Sequence, residues 1–130
     1  MNRDYEFGKE KEKNFLEVLR NRYGDDVIQI DNQYSPFDFI SPTYLFELKA
    51  RRNNKNKYPS VMVGYNKILS AQMQEKKVVF CFDFLDNKCF YEYKEEDKDK
   101  IEIRLGGRTD RGKNEIKIYA YIPLHLLSDF

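Results

Sequence analysis

Tyr34-Ser-Pro-Phe-Asp-Phe-Ile40, then Ser41-Pro-Thr43, then Tyr44-Leu-Phe-Glu-Leu-Lys-Ala50 is the stretch on which the reading turns. Pro36 and the Ser41-Pro42-Thr43 connection bracket two β-prone segments, which predicts neighbouring strands joined by a hairpin-length turn. Strand side chains alternate, so Glu47 and Lys49 project from one face, and the turn brings Asp38 alongside them. Two carboxylates meeting across a strand pair repel unless a cation sits between them. Mg²⁺ suits such a place, being an oxygen-seeking ion held by one or two carboxylates plus waters. A lysine beside it can orient, or help deprotonate, a bound water.

The flanking sequence supplies a scaffold. Phe15, Leu16, Leu19 and Tyr23 recur at helical spacing and Gly24 is a stop signal, which predicts a helix over 8–23. A short strand is expected at 27–30. Downstream, Met62, Tyr65, Leu69 and Met73 fall on one helical stripe, which predicts a second helix over 59–74. Residues 78–84 and 89–93 read as a hairpin and 94–100 as solvated charge. Strands are expected at 101–105 and 116–122 around a glycine-rich basic loop, with a closing helical turn at 123–127. The order helix, strands, helix, strands predicts an α/β fold, a central mixed sheet flanked by helices. With neither repeat nor linker, the 130 residues read as a single domain over 1–130.

Composition narrows the chemistry. Hydrophobic residues at 41% and charged residues at 35% are globular usage. No apolar run approaches the ~20 residues of a membrane span, and the N-terminus has no signal-like core, so an intracellular protein without membrane attachment is expected. His125 is the sole histidine, which excludes catalysis by a histidine pair, and among leucines it reads as a packed or capping histidine. Cys81 and Cys89 are too few for a structural zinc site and read as buried thiols. No phosphate-loop or dinucleotide glycine motif occurs, so no nucleotide cofactor is expected. The net charge of +1 conceals an uneven distribution. Residues 49–57 hold five bases and no acid, whereas 92–102 hold six acids against three bases. A neutral domain can still present the basic face that phosphate contacts require.

At Asp38 and Glu47-Leu48-Lys49 the chain resembles the PD-(D/E)XK superfamily of restriction-endonuclease-like nucleases. The family pattern is an Asp on one strand of a hairpin and Glu-x-Lys on the next. Here one residue is inserted between Pro36 and Asp38. Many members add a helix-1 Glu soon after a glycine, and Gly8 to Glu12 fits, with Glu10 the alternative. The resemblance implies a restriction-endonuclease-like core and a Mg²⁺-dependent nuclease hydrolysing DNA, with Mn²⁺ as a substitute. Asp38, Glu47 and the Leu48 carbonyl would hold the metal, Lys49 would act on the water, and Glu12 would support the site. Among small members the chain is similar to archaeal-type Holliday-junction resolvases, which implies a homodimer and, as the second substrate reading, branched DNA. A different class also stands: a non-catalytic nucleic-acid-binding module, or a subunit of a larger nuclease.

Glu-x-Lys by itself carries little, since it begins also at Glu75, Glu92, Glu96 and Glu115. One rival copies the spacing, with Asp83 nine residues before Glu92. Its hairpin runs into Glu95-Glu96-Asp97, which would repel a phosphate, while Glu47 runs into Lys-Ala-Arg-Arg. The expected DNA contacts are Arg51, Arg52, Lys55 and Lys57 beyond that site. Arg108 and Arg111 in the glycine-rich loop are further candidates, or lie in a plain exposed loop. Lys67 points at a phosphate or at water, and Tyr58 and Tyr65 stack on bases or pack in the core.

Overall fold

In the computed structural model, residues 3–32, 34–106 and 117–130 are described, with side chains from residue 10 onward. Arg108 and Arg111, expected in a glycine-rich loop, lie outside the described residues. The chain opens with helix α1 (Arg3–Tyr23), which buries Phe15 and Leu19 one turn apart. It begins earlier than the predicted 8–23 because a lone helical glycine such as Gly8 costs only about 1 kcal/mol. Gly24 ends it at φ 104°, a left-handed conformation that glycine adopts without strain, and its amide donates to the Arg20 carbonyl at 2.9 Å.

Three strands follow: β1 (Ile28–Gln29), β2 (Phe39–Ile40) and β3 (Tyr44–Ala50). Between β2 and β3, Ser41 closes the turn, its amide donating to the Tyr44 carbonyl and its hydroxyl accepting from the Tyr44 amide. The expected helix over 59–74 is corrected. Residues Ser60–Gly64 form strand β4, and only Tyr65–Gln72 form helix α2. Val61 and Val63 alternate into the core at 5% and 1% exposure, as β-branched residues on a half-buried strand do. The apparent stripe is not the buried one: Ile68 and Ala71 are buried, while Leu69 and Met73 are exposed.

Strand β5 (Lys77–Asp83) then pairs parallel to β3, and β4 with α2 supplies the crossover a parallel pair needs. The hairpin continues with β6 (Lys88–Glu92), then β7 (Glu102–Gly106), β8 (Lys117–Pro123) and β9 (Ser128–Asp129). The main sheet has the order β1-β2-β3-β5-β6-β9, with β3 and β5 parallel among antiparallel neighbours. A second sheet, β4-β8-β7, covers part of one face.

Strand β5 explains the layering. Val78, Phe80 and Phe82 pack into a core with Val61, Val63, Ile68 and Ile122, whereas Val79 and Cys81 pack with Phe15, Leu19 and Phe46 beneath α1. A strand buried on both faces reads as a continuous apolar run, as Val78 to Phe82 does. Cys81 and Cys89 are buried free thiols. Two local expectations fail. Asp97, expected in solvated charge, is 6% exposed and accepts a 2.8 Å hydrogen bond from the Tyr91 hydroxyl, which offsets the cost of burying it. Of the two readings of His125, packed or capping, the packed one is overturned: it is exposed, in the last turn of the short 3-10 helix Leu124–Leu126.

Candidate active site

Phe39 pairs with Phe46, yet the Asp38 amide also donates to the Phe46 carbonyl at 2.8 Å. Two residues on one strand oppose one on its partner, which is how a β-bulge re-aims a side chain. The Asp38 carboxylate then accepts the Leu48 amide at 2.8 Å, so Asp38 contacts the residues on either side of Glu47. Its own carbonyl accepts from the Ile30 amide. Asp38 is therefore braced by both neighbouring strands.

Glu47 alternates with Phe46 and Leu48, on the side of β3 that carries Leu45 and faces the β4-α2 layer. It is 3% exposed. Its Oε1 lies 3.0 Å from Lys49 Nζ and 3.3 Å from Lys67 Nζ, the latter reaching across from α2. Lys67 also donates to the Pro36 carbonyl at 3.1 Å. Its ammonium thus joins the acidic cluster. The other Glu47 oxygen, Oε2, is buried without a partner among the described residues. Leaving such an atom unsatisfied costs about 1–3 kcal/mol, more for a charged group. An open buried carboxylate oxygen beside a second acid is a donor set that fits a hard cation.

Glu12 projects from α1 to the same cluster, accepting from the Gln29 amide group at 2.9 Å. Glu10, the alternative, is exposed. Burial pushes the Asp38 carboxyl up to about 7, the Leu48 amide opposes this, and the neighbouring Glu12 and then Glu47 raise it further. Glu12 thus lies close enough to Asp38 for its charge to disfavour a second ionised carboxylate there. Gln29 is not singled out by sequence reading, and nothing in its local pattern distinguishes it. Among the described residues no three Asp, Glu, His or Cys side chains converge as a ready-made metal cage. A cation here would draw on Asp38, Glu47, a backbone carbonyl such as that of Leu48, and water, as Mg²⁺ commonly does.

The register also separates this hairpin from its rival. In the β5-β6 pair, Asp83 lies opposite Lys88 and Glu92 opposite Val79. The two acids are four strand steps apart, about 13 Å. Asp83 is instead ion-paired to Lys88 at 3.4 Å.

Beyond β3 the basic residues divide. Arg51 is half-buried, its guanidinium donating to the Met62 carbonyl at 2.7 Å and the Ala50 carbonyl at 3.5 Å. Burial lowers its pKa and nearby Glu47 opposes that. Arg52 and Lys57 are exposed, while Lys55 is part-buried and 3.5 Å from Asp129.

The mixed sheet, its flanking helices and an Asp/Glu-x-Lys hairpin define a restriction-endonuclease-like fold of the PD-(D/E)XK class. Residues 4–130 match the family described as "Phage putative PDDEXK endonuclease", and the chain belongs to that family. Membership makes it a nuclease, with nucleic acid as substrate, and such nucleases generally use divalent metal ions. Comparison with curated proteins and with solved structures returned no match for either. Among the described residues no helix is long and apolar enough to cross a membrane.

Proposed function

We propose that the protein is a Mg²⁺-dependent endonuclease hydrolysing phosphodiester bonds in DNA, with Mn²⁺ as a substitute ion. The observation that carries this reading is Glu47. It is a buried carboxylate with one oxygen held by two lysines and the other without a partner among the described residues, beside the part-buried Asp38. Asp38, Glu47 and the Leu48 carbonyl would hold the ion, which when bound lowers the pKa of water and stabilises charge on the phosphoryl oxygens.

The chain's own groups do the rest. Lys49, paired with Glu47 Oε1, holds or accepts a proton at Nζ beside the attacking water. Glu12, held by the Gln29 amide group, supports the site beside Asp38. Lys67 holds Glu47 in place and adds positive charge against the phosphate. Arg52, Lys55 and Lys57 contact the DNA backbone beyond the site. Cutting both strands of a duplex needs two such sites, hence a homodimer.

Purified protein incubated with Mg²⁺, Mn²⁺ or EDTA and linear, nicked, four-way-junction or single-stranded DNA, or RNA, tests this on a gel. Metal-dependent internal cleavage of DNA is expected. DNA left intact under every metal condition overturns the proposal, and preferential cutting of the junction would make the substrate branched DNA.

A further inference from the structure

Just past the acidic cluster, a hollow of about 420 Å³ opens between the 51–59 segment and the second sheet. Its volume lies within the ~300–1,000 Å³ of small-ligand sites. Arg51, Lys55 and Arg104 line it together with the rings of Tyr58, Phe84 and Tyr121, and among the described residues no acidic side chain lines it. Arg104 Cζ sits 4.0 Å from the Tyr121 ring centroid, over the ring face. Tyr58 is 55% exposed at the rim. Two of the cations have carboxylate partners outside the lining, Lys55 with Asp129 at 3.5 Å and Arg104 with Glu102 at 3.8 Å. Both pairs reach solvent, so exchanging them for a phosphate costs little.

Location gives the hollow its meaning. Glu47, Lys49 and Arg51 succeed one another at alternate positions along the β3 direction, and the Arg51 amide continues the ladder by donating to the Asp83 carbonyl. From Lys49 to Arg51 is about 7 Å. A strand of nucleic acid with one phosphate at Glu47 therefore passes the hollow within a nucleotide or two.

We infer that this hollow binds an unstacked nucleotide of the substrate strand. The base lies against Tyr58 and the Arg104-Tyr121 stack, and its phosphate meets Lys55 and Arg104. A base inside a duplex has both faces covered by its neighbours. Only an unpaired base can offer a π-face to aromatic rings and a guanidinium plane. The inference rests on the proposed DNA-cleaving function and deepens it. The preferred substrate carries single-stranded DNA beside the scissile phosphate, as in a flap, a gap or a frayed end.

The test is fluorescence anisotropy in EDTA with labelled single-stranded DNA and a blunt duplex of equal length. Wild type, Tyr58→Ala, Tyr58→Phe and Arg104→Ala are compared. Tyr58→Ala and Arg104→Ala should weaken single-strand binding by roughly tenfold, the loss of one base-aromatic stack, and duplex binding by less than about twofold. Tyr58→Phe should bind like wild type. Free deoxythymidine monophosphate, added as competitor, should displace the single strand only at far higher concentration, since it lacks the neighbouring phosphates. Competition at equal concentration would make the hollow a free-nucleotide site and overturn the strand reading. Equal weakening of both DNAs would reduce it to a general phosphate contact and overturn it too. Wild-type protein that binds and cuts DNA, with the Ala variants unchanged, overturns the hollow alone. Wild-type protein that binds neither DNA overturns the DNA-cleaving function and the hollow together.

Discussion

Lys67 on the crossover helix α2 reaches Glu47 on β3, with Nζ 3.3 Å from Oε1. The residues stand twenty apart in sequence and meet because β3 and β5 are parallel, which forces the chain between them back over the face that carries Glu47. One carboxylate oxygen thus receives an ammonium from its own strand and another from the crossover, while its second oxygen has no partner among the described residues. Removing Lys67 leaves Lys49 in place. Lys67→Ala is expected to lower stability by about 1–2 kcal/mol, a few degrees in Tm, measurable by thermal unfolding. An unchanged Tm would mean the ion pair contributes nothing.

Lys49→Ala keeps both carboxylates, so metal and DNA should still bind while cleavage falls roughly 10²–10⁴-fold. Asp38→Ala or Glu47→Ala removes a metal-binding group, and each should abolish cleavage at ordinary Mg²⁺. Calorimetric titration of Mn²⁺ separates the two cases. The Asp38 and Glu47 variants should lose binding heat and the Lys49 variant should retain it. Parent-like cleavage by all three would exclude this hairpin as the active site.

Glu92→Ala is the control for spacing. Glu92 lies opposite Val79 rather than near Asp83, so its loss should leave cleavage within about twofold of the parent. It should cost at most a few tenths of a kcal/mol, because its contact with Lys77 at 3.9 Å is a surface pair. A dead Glu92→Ala enzyme would move the active site to β5 and β6.

Acidity offers a test that needs no substrate. The Asp38 carboxyl stands at about 7 in the folded chain against an ordinary 3.8. Between those values the folded protein holds a proton that the unfolded chain has released, so stability falls as pH rises through about 4–7. The loss is roughly 2–4 kcal/mol at most. Urea melts in EDTA should show wild type losing stability from pH 5 to pH 8 relative to Asp38→Asn. Parallel pH curves for the two proteins would contradict a raised Asp38.

Among the bases after β3, salt dependence should separate contact from scaffold. Arg52→Ala and Lys57→Ala should each reduce the slope of log K against log salt on duplex DNA by about 0.9. Arg51→Ala should act mainly on stability, costing about 1–3 kcal/mol through the lost hydrogen bond to Met62. An unchanged slope in the first two would turn this segment away from the duplex.

What the sequence by itself determined is what depends on near neighbours. The α1 stripe of Phe15 and Leu19 with its Gly24 stop, the alternation that sets Glu47 and Lys49 on one side of β3, and the hairpin at Leu85 to Lys88 all follow from local period and turn chemistry. Tertiary structure decided what depends on distant partners. Val61 and Val63 join a strand rather than a helix because Ile122 and Ala120, about sixty residues later, pair with them and complete the buried layer. Glu12 rather than Glu10 reaches the acids, because only the docking of α1 chooses which side of that charged run faces Asp38. Asp97 is buried because Tyr91 stands ready to donate to it. The same nine-residue spacing yields a cluster at Asp38 and Glu47 and a separation at Asp83 and Glu92, since strand register, not sequence distance, sets which residues meet.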